Sequence, residues 1–250
     1  MTGTLLDSGK HADVWLSSDG TSVEKIYRNN DVQVSQWIAE QEQETLATVA
    51  SILRDVQGVS SPAPFPPNGT PGVIQMEFCS GSPLYEALEH ARFSDERRLR
   101  DLAHRLALAL VTLSSELSND RLDLSGRRNV LYDDATDELV LLDFTPHRPL
   151  LSDSAPVSTL EQVTGSFLAA NLTVPLHRST LLPLRRAQRI VRFAGHFLGE
   201  AGRLSDVRLD NVETVAWTYF WHRTCGAGPL RYVWFSSVGR VAFWLMIRRL

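Results

Sequence analysis

The segment from Asp123 to Asp143 constrains the fold of this 250-residue chain more than any other. Asp123 is followed six residues later by Asn129, and Asp143 comes directly after the apolar run Glu138–Leu142. Alternating apolar residues predict strands at Val130–Tyr132 and Glu138–Leu142, joined by a turn that is rich in aspartate. The segment therefore carries one carboxylate and one carboxamide before the predicted hairpin and a second carboxylate directly after it.

The overall composition is that of a soluble globular chain, long enough for one large domain or one two-lobed unit. The net charge of −4 gives no support for a nucleic-acid binder, so no nucleic-acid partner is expected. The only cysteines, Cys79 and Cys225, are far apart, which favours a reducing compartment over a disulfide framework. Because the first residues also lack a signal peptide pattern, we expect a cytoplasmic protein.

The order of predicted elements divides the chain into a β-rich part and a mainly helical part. Strands are predicted at Leu5–Leu6, Asp13–Leu16, Ser22–Tyr27 and Val73–Cys79, with a helix from Asp31 to about Leu53. The proline-rich residues 60–72 are predicted to form an exposed connection. A helix is predicted from Pro83, a longer one over Ser94–Leu117 with Ser94 as its cap, and mostly helix from about Leu160 onward. We therefore expect an α+β fold with lobes at residues 1–79 and 80–250 and a cleft between them.

Two features of the first part would suit the binding of phosphate groups. Gly9 lies in a predicted turn that resembles a sparse glycine-rich loop, although an ordinary hairpin turn is an equally good interpretation. Lys25 follows 16 residues later between apolar neighbours on a strand, from where its ammonium can reach the α- and β-phosphates of a nucleotide. The alternative for Lys25 is an exposed strand lysine.

A lysine in this role needs a carboxylate that holds it in place. The predicted helix offers Glu40, Glu42 and Glu44. Glu42 is preferred because it shares a helix face with the apolar residues Leu46 and Val49. The alternative is that all three glutamates are simply solvated.

The segment Gln75–Gly81 is predicted to be the strand that leaves the first lobe and the hinge that follows it. In that position the backbone groups of Glu77 and Cys79 would hydrogen-bond adenine, and Met76 would form the apolar back of the pocket. A plain buried strand is the other interpretation of this segment.

Together these motifs resemble the protein-kinase-like superfamily, on its atypical side. The nearest likenesses are RIO-type kinases, aminoglycoside phosphotransferases and lipopolysaccharide-core sugar kinases. The resemblance covers residues 5 to about 148 and rests on Lys25–Arg28, Trp37 ahead of Glu42, Val59–Pro64, Met76–Phe78 and Asp123–Tyr132. It implies that Asp123 is the catalytic aspartate, that Asn129 and Asp143 bind Mg²⁺, that Lys25 and Glu42 position the phosphates of ATP, and that Gly9 covers them.

The chain departs from the usual pattern of that superfamily at three places. Asp123 and Asn129 are six residues apart instead of five, Arg121 replaces a usual histidine, and Thr145 replaces the usual glycine after Asp143-Phe144. None of these changes removes a charged group that phosphate transfer in that superfamily requires.

The resemblance implies an ATP- and Mg²⁺-dependent phosphotransferase that acts on a hydroxyl group. The residues after Asp143 contain no recognisable docking segment for a protein substrate, which favours a small-molecule or glycolipid acceptor. A RIO-like protein kinase or ATPase, and a nucleotide-binding pseudokinase without turnover, are the alternatives.

The last third of the chain is basic and aromatic. Arg185, Arg186, Arg189 and Arg192 share a broad helical face, which predicts either a solvated surface or a site for an anionic acceptor. Aromatic residues cluster at 215–222 and again from Tyr232 to Trp244. Such clusters are typical of a core, but together with arginines near the chain end they also suit peripheral contact with the inner face of a membrane.

Overall fold

The structure is a computed structural model that describes residues 3–9, 11–67, 69–117, 122, 124, 126–146, 157–177 and 184–225. Its strands are β1 Thr4–Ser8, β2 Ala12–Leu16, β3 Ser22–Tyr27, β4 Val59–Ser60, β5 Val73–Glu77, β6 Ser82–Pro83, β7 Val130–Asp133 and β8 Glu138–Leu141. Its helices are α1 Val32–Leu53, α2 Leu84–Ala87, α3 Glu96–Glu116, α4 Thr159–His177, α5 Leu184–Leu204 and α6 Val212–Cys225. The predicted fold class is confirmed: an antiparallel sheet with one helix is followed by a larger, mainly helical part.

The first sheet is antiparallel in the order β1-β2-β3-β5, so β3 is a central strand with a partner on each side. Successive side chains of a strand point to opposite faces. Val23 and Tyr27 of β3 are buried, and Lys25, which lies between them, therefore shares their face. The strand pattern alone thus points the lysine toward the helix side of the sheet.

Helix α1 covers that face of the first sheet. It begins at the Asp31 cap, whose carboxylate accepts hydrogen bonds from the amides of Gln33 and Val34 at 2.9 and 3.4 Å. Its buried residues recur at helical spacing: Ser35, Ala39, Glu42, Thr45, Leu46, Val49 and Leu53. A glutamate in this stripe is unusual, because a carboxylate is rarely buried without a charged partner.

A second sheet has the order β4-β8-β7-β6 and lies at the junction of the two parts. Its short strand β4 pairs in parallel with β8, so elements from both sides of residue 79 contribute to it. The proline-rich connection is more structured than the sequence predicts. Pro64 forms a bridge with Met76, and the amide of Phe65 donates to the carbonyl of Gln75 at 2.9 Å, because β5 would otherwise leave its outer backbone groups unpaired.

The helical part is built by two pairings, α3 with α5 and α4 with α6. Helix α3 is capped by Asp95, whose carboxylate accepts from the amide of Arg97 at 2.9 Å, and not by Ser94 as the sequence predicts. In α6, the aromatic residues Tyr219 and Phe220 are buried in the core, whereas residues 226–250 lie outside the described part. Within the described residues, no helix combines the length and the apolar character that a membrane crossing requires.

The basic face of α5 is partly used for packing. Arg189 is only 8% exposed, and its guanidinium donates to the Ser94 hydroxyl at 2.8 Å and to the Glu89 carbonyl at 2.6 Å. Arg192 forms an ion pair with Glu96 at 3.0 Å. These two arginines therefore hold α5 to the start of α3, and Arg189 belongs neither to a solvated face nor to an open anion site. The side chains of Arg185 and Arg186 are outside the described part.

Candidate active site

Lys25 lies where the first sheet, α1 and the segment after β8 meet. Its Nζ atom is 2.9 Å from Oε1 of Glu42 and 2.8 Å from Oδ1 of Asp143, and its side chain is 12% exposed. The two carboxylates come from parts of the chain that are 101 residues apart (143 − 42). One ammonium group thus joins the sheet, the covering helix and the second part of the molecule.

Glu42 contacts Lys25 because it lies in the middle of the buried stripe of α1. The residue is 2% exposed, whereas Glu40 and Glu44, which the sequence left as competing candidates, are exposed. The structure therefore brings the preferred glutamate to the lysine and leaves the other two on the outer surface of the helix.

The β7–β8 hairpin brings Asn129 next to the residues that precede Asp143. Val130 pairs with Leu141, and the amide of Leu142 donates to the carbonyl of Asn129 at 2.8 Å. Asp143 follows directly and has a positive φ of 65°, a backbone conformation that is uncommon outside glycine and asparagine. This turn directs its side chain back toward Lys25.

Asn129 is 8% exposed, and its side chain lies against the backbone of Gly126. A Cβ atom at residue 126 would be 2.0 Å from Oδ1 of Asn129, well inside any normal contact. Glycine at this position therefore leaves the space that the carboxamide occupies. Gly126 was not among the candidate residues predicted from the sequence, although a glycine three residues before a candidate ligand is a signal that points to a close approach.

Lys25, Glu42 and Asp143 form a charged cluster, called the Lys25 cluster below, and their charges shift one another's pKa values. Burial would lower the pKa of Lys25, but the carboxylates of Glu42 and Asp143 outweigh burial and raise it. For Asp143, burial acts to raise the pKa, and the ammonium of Lys25 overcomes this and lowers it. Burial raises the pKa of Glu42 even beside Lys25, since the single ammonium is shared with a second carboxylate. Of the two carboxylates, Glu42 is thus protonated more readily than Asp143.

Two hydroxyl groups that the sequence analysis did not predict complete this cluster. The Thr145 hydroxyl is 2.5 Å from Oδ1 of Asp143, 2.8 Å from Nζ of Lys25 and 3.1 Å from Oε2 of Glu42. The Tyr27 hydroxyl is 3.2 Å from that of Thr145. In the sequence, Thr145 is only a departure from the usual glycine, whereas the structure places its side chain between Lys25, Glu42 and Asp143.

Gly9 lies in the turn between β1 and β2, and its amide donates to the carbonyl of Ala12 at 2.9 Å. The guanidinium of Arg28 donates to the Gly9 carbonyl and lies 3.4 Å from Asp13, which holds the turn near the end of β3. An exposed ion pair of 3.5 Å joins Asp7 to Arg128, the neighbour of Asn129. The turn is therefore tethered toward the Lys25 cluster, although exposed ion pairs contribute little energy.

The predicted hinge follows β5. The amide of Glu77 donates to the carbonyl of Ala63 at 2.9 Å, so of its two backbone groups only the carbonyl is available for a ligand. Cys79 has no backbone hydrogen bond to the described residues, and Met76 is buried behind this segment. Burial, together with nearby negative charges led by Glu77, raises the pKa of the Cys79 thiol to about 12, so the thiol stays neutral.

The predicted catalytic residue, Asp123, lies outside the described residues; its neighbours Leu122 and Leu124 are both buried. For a metal ion, the remaining donors fit Mg²⁺, which prefers oxygen ligands and in nucleotide sites takes one or two carboxylates plus phosphates. The side chain of Asp143 is 39% exposed and so accessible to a metal ion, and Asn129 offers a carboxamide oxygen. Within the described part, no three His, Cys, Asp or Glu residues are grouped to bind a metal, so phosphates would have to complete the coordination.

Among solved structures, the chain is similar to the kinase domain of PknI from Mycobacterium tuberculosis. The two share 16% identity with a TM-score of 0.48, over 86% of this chain and 92% of that one. No family model and no curated protein matches the chain. Because a likeness this distant carries no argument about activity, the function has to be inferred from the side chains of this chain itself.

Proposed function

We propose that the chain is an ATP- and Mg²⁺-dependent phosphotransferase that transfers phosphate to a hydroxyl group of a small molecule or glycolipid. The observation that carries the proposal is the position of Lys25 Nζ between Glu42 and Asp143, at 2.9 and 2.8 Å. A buried lysine held by one carboxylate, beside a second and more exposed carboxylate, is suited to bind phosphates next to a metal ion. The sequence motifs that surround these residues resemble the atypical branch of the kinase-like superfamily, which includes RIO-type kinases, aminoglycoside phosphotransferases and lipopolysaccharide-core sugar kinases.

Each residue has a defined part in this proposal. Lys25, oriented by Glu42, binds the α- and β-phosphates, while Asp143 and Asn129 hold Mg²⁺, which neutralises the charge on the phosphates. The backbone carbonyl of Glu77 and the amide of Cys79 bind adenine. Asp123 orients the acceptor hydroxyl and takes its proton. Catalysis of this kind depends on positioning and charge stabilisation, and both require the groups to be held in place before the substrate arrives.

The test uses the fact that Lys25 is one of only two lysines in the chain, the other being Lys10. An acyl-phosphate derivative of ATP, which acylates amines near bound phosphates, should modify Lys25, and an excess of Mg²⁺·ATP should prevent this. Mass spectrometry distinguishes the two lysines because they lie in different tryptic peptides. Absence of protected labelling at Lys25 would contradict the proposal.

Turnover and the acceptor class are tested together. With γ-labelled ATP and a metabolite extract, the wild-type chain should label small molecules or lipids. Asp143→Ala should lose both metal-dependent nucleotide binding and turnover. Asp123→Asn should keep binding and lose turnover. Label that appears only on proteins would favour the RIO-like protein kinase instead.

A second candidate function is nucleotide binding without turnover. It is favoured by three departures from the usual pattern: the sparse glycine turn at Gly9, Arg121 in place of a histidine and Thr145 in place of a glycine. A chain whose melting temperature rises with Mg²⁺·ATP, but which releases no phosphate and labels no acceptor, would be of this kind.

We also propose peripheral membrane contact through the aromatic and basic residues 232–250, which lie outside the described part of the structure. The composition of this segment suits an interfacial position. Flotation with anionic vesicles should retain the full-length chain and lose a form that ends at Pro229. Equal flotation of both forms would contradict this proposal.

A further inference from the structure

Thr145 lies at the centre of the Lys25 cluster. The direction of each of its hydrogen bonds follows from the number of protons and lone pairs that each group has. A hydroxyl has one proton to donate and two lone pairs that accept. Lys25 can only donate, so Thr145 accepts from it at 2.8 Å. The carboxylates of Asp143 and Glu42 can only accept when ionised, and the shorter contact, 2.5 Å against 3.1 Å, assigns the proton of Thr145 to Asp143. The Tyr27 hydroxyl, at 3.2 Å, can use the remaining lone pair.

The contacts of Asp143 are asymmetric. The side chains of both Lys25 and Thr145 contact Oδ1, and a hydrogen bond from the backbone amide of Thr145 also stabilises the carboxylate. A carboxylate that is held at one oxygen by two donors cannot turn freely about its Cβ–Cγ bond. The side chain is nevertheless 39% exposed, so the carboxylate remains accessible to a ligand.

We propose that Thr145 is a positioning residue whose hydroxyl holds Oδ1 of Asp143 against Lys25, so that the exposed carboxylate is oriented for the Mg²⁺ ion of a metal–nucleotide complex. This inference rests on the proposed function, since it concerns the metal ion of that same site. Thr145 has no direct part in the transfer. It acts through Asp143, and valine, which has the same shape but no hydroxyl, cannot replace it.

The first experiment measures the dissociation constant of ATP with and without Mg²⁺ by calorimetry. We expect Thr145→Val to reduce the gain in affinity that Mg²⁺ provides by about tenfold or more, because a hydrogen bond to a charged group is lost. Affinity without Mg²⁺ should change by less than about threefold, which is below 1 kcal/mol. Thr145→Ser, which keeps the hydroxyl, should restore the gain. The matched control is Thr164→Val, the same substitution at a threonine of α4 that is 0% exposed and has no hydrogen-bond partner among the described residues.

The second experiment needs no nucleotide. Urea unfolding of the wild type, Thr145→Val, Asp143→Asn and the double variant should show that loss of the hydroxyl shifts the midpoint less when Asp143 is already replaced. Additive shifts, an unchanged Mg²⁺ gain in Thr145→Val, or an equal loss in Thr145→Ser would each overturn the positioning role. If the wild type binds no ATP at all, the proposed function itself fails and the positioning role fails with it, a result that the wild-type titration alone identifies.

Discussion

At the scale of single residues, the candidate site depends on one ammonium group shared by two carboxylates. Lys25 stabilises a buried Glu42 and a half-buried Asp143, which would otherwise repel each other in an interior that solvates charge poorly. Arginine is the usual basic residue of this chain, which has only two lysines among its 25 basic residues. The presence of a lysine in the centre of β3 is consistent with the need for a compact point charge.

Replacement of Lys25 by methionine should lower the free energy of unfolding by about 3 kcal/mol, the lower end of the range for a broken buried pair, because Asp143 is partly exposed. Urea unfolding at neutral pH measures this loss. The control is Arg100→Met, which removes an exposed ion pair with Glu96 at 3.7 Å and should change stability by no more than about 1 kcal/mol. Equal losses of stability in the two variants would show that the ion pairs of Lys25 contribute no more than an exposed ion pair.

Gly126→Ala tests the space beside Asn129. The added Cβ would lie 2.0 Å from the Asn129 carboxamide oxygen, so the side chain must move, at a cost of about 1–3 kcal/mol in stability. We expect weaker Mg²⁺-dependent ATP binding together with this loss. The matched control is Gly199→Ala in α5, where the added Cβ has no neighbour within 4 Å among the described residues and should stabilise the helix by up to about 1 kcal/mol.

At the scale of elements, short hydrogen-bonded turns hold the strands that carry the site. In the β2–β3 turn, Asp19 accepts from the Ser17 hydroxyl at 2.6 Å and from the amide and hydroxyl of Thr21 at 3.0 and 2.8 Å. These bonds, led by that of Ser17, lower the pKa of Asp19 to about 2. The turn therefore helps to position the start of β3, and with it Lys25.

The pH dependence of this turn can be measured by comparison of the wild type with Asp19→Asn. Since the folded-state pKa is about 2 and the ordinary value is 3.8, the charge of Asp19 stabilises the fold above about pH 4. That contribution is lost as the pH falls toward 2. We expect the variant to be less stable than the wild type at pH 7, with a difference that disappears near pH 2. A difference that is constant with pH would show that the charge plays no part.

At the scale of the whole molecule, the cluster links the first sheet and α1 to the segment after β8. A ligand that binds to Lys25 and Asp143 together should therefore stabilise both parts at once. At an ATP concentration 100 times its dissociation constant, the gain is about 2.7 kcal/mol, which for a chain of this size raises the melting temperature by about 5–10 °C.

Differential scanning fluorimetry with Mg²⁺·ATP checks this expectation. AMP lacks the β- and γ-phosphates and should give a much smaller shift at the same concentration, and Asp143→Ala should lose the part that depends on Mg²⁺. Equal shifts with ATP and AMP would mean that the phosphates do not reach Lys25 and Asp143.

Local periodicity was enough to predict most of the elements and the faces on which several candidate residues lie. Strand alternation places Lys25 on the same face as Val23 and Tyr27, and helical spacing distinguishes Glu42 from its neighbours. The predicted hairpin explains why Asn129 lies beside the residues that directly precede Asp143. The same patterns were less reliable at element ends, where Asp95 caps α3 in place of Ser94, because both residue types can cap and only backbone geometry chooses between them.

The spacing of apolar residues within a few turns of chain was sufficient to predict the class of fold and the faces of β3 and α1. The packing of distant segments was needed to bring Thr145 and Tyr27 to Lys25 and to bury Arg189 against the start of α3. Thr145 and Lys25 are separated by 120 positions. A local pattern specifies the direction in which a side chain points, whereas the distance between two such side chains depends on how the whole chain packs.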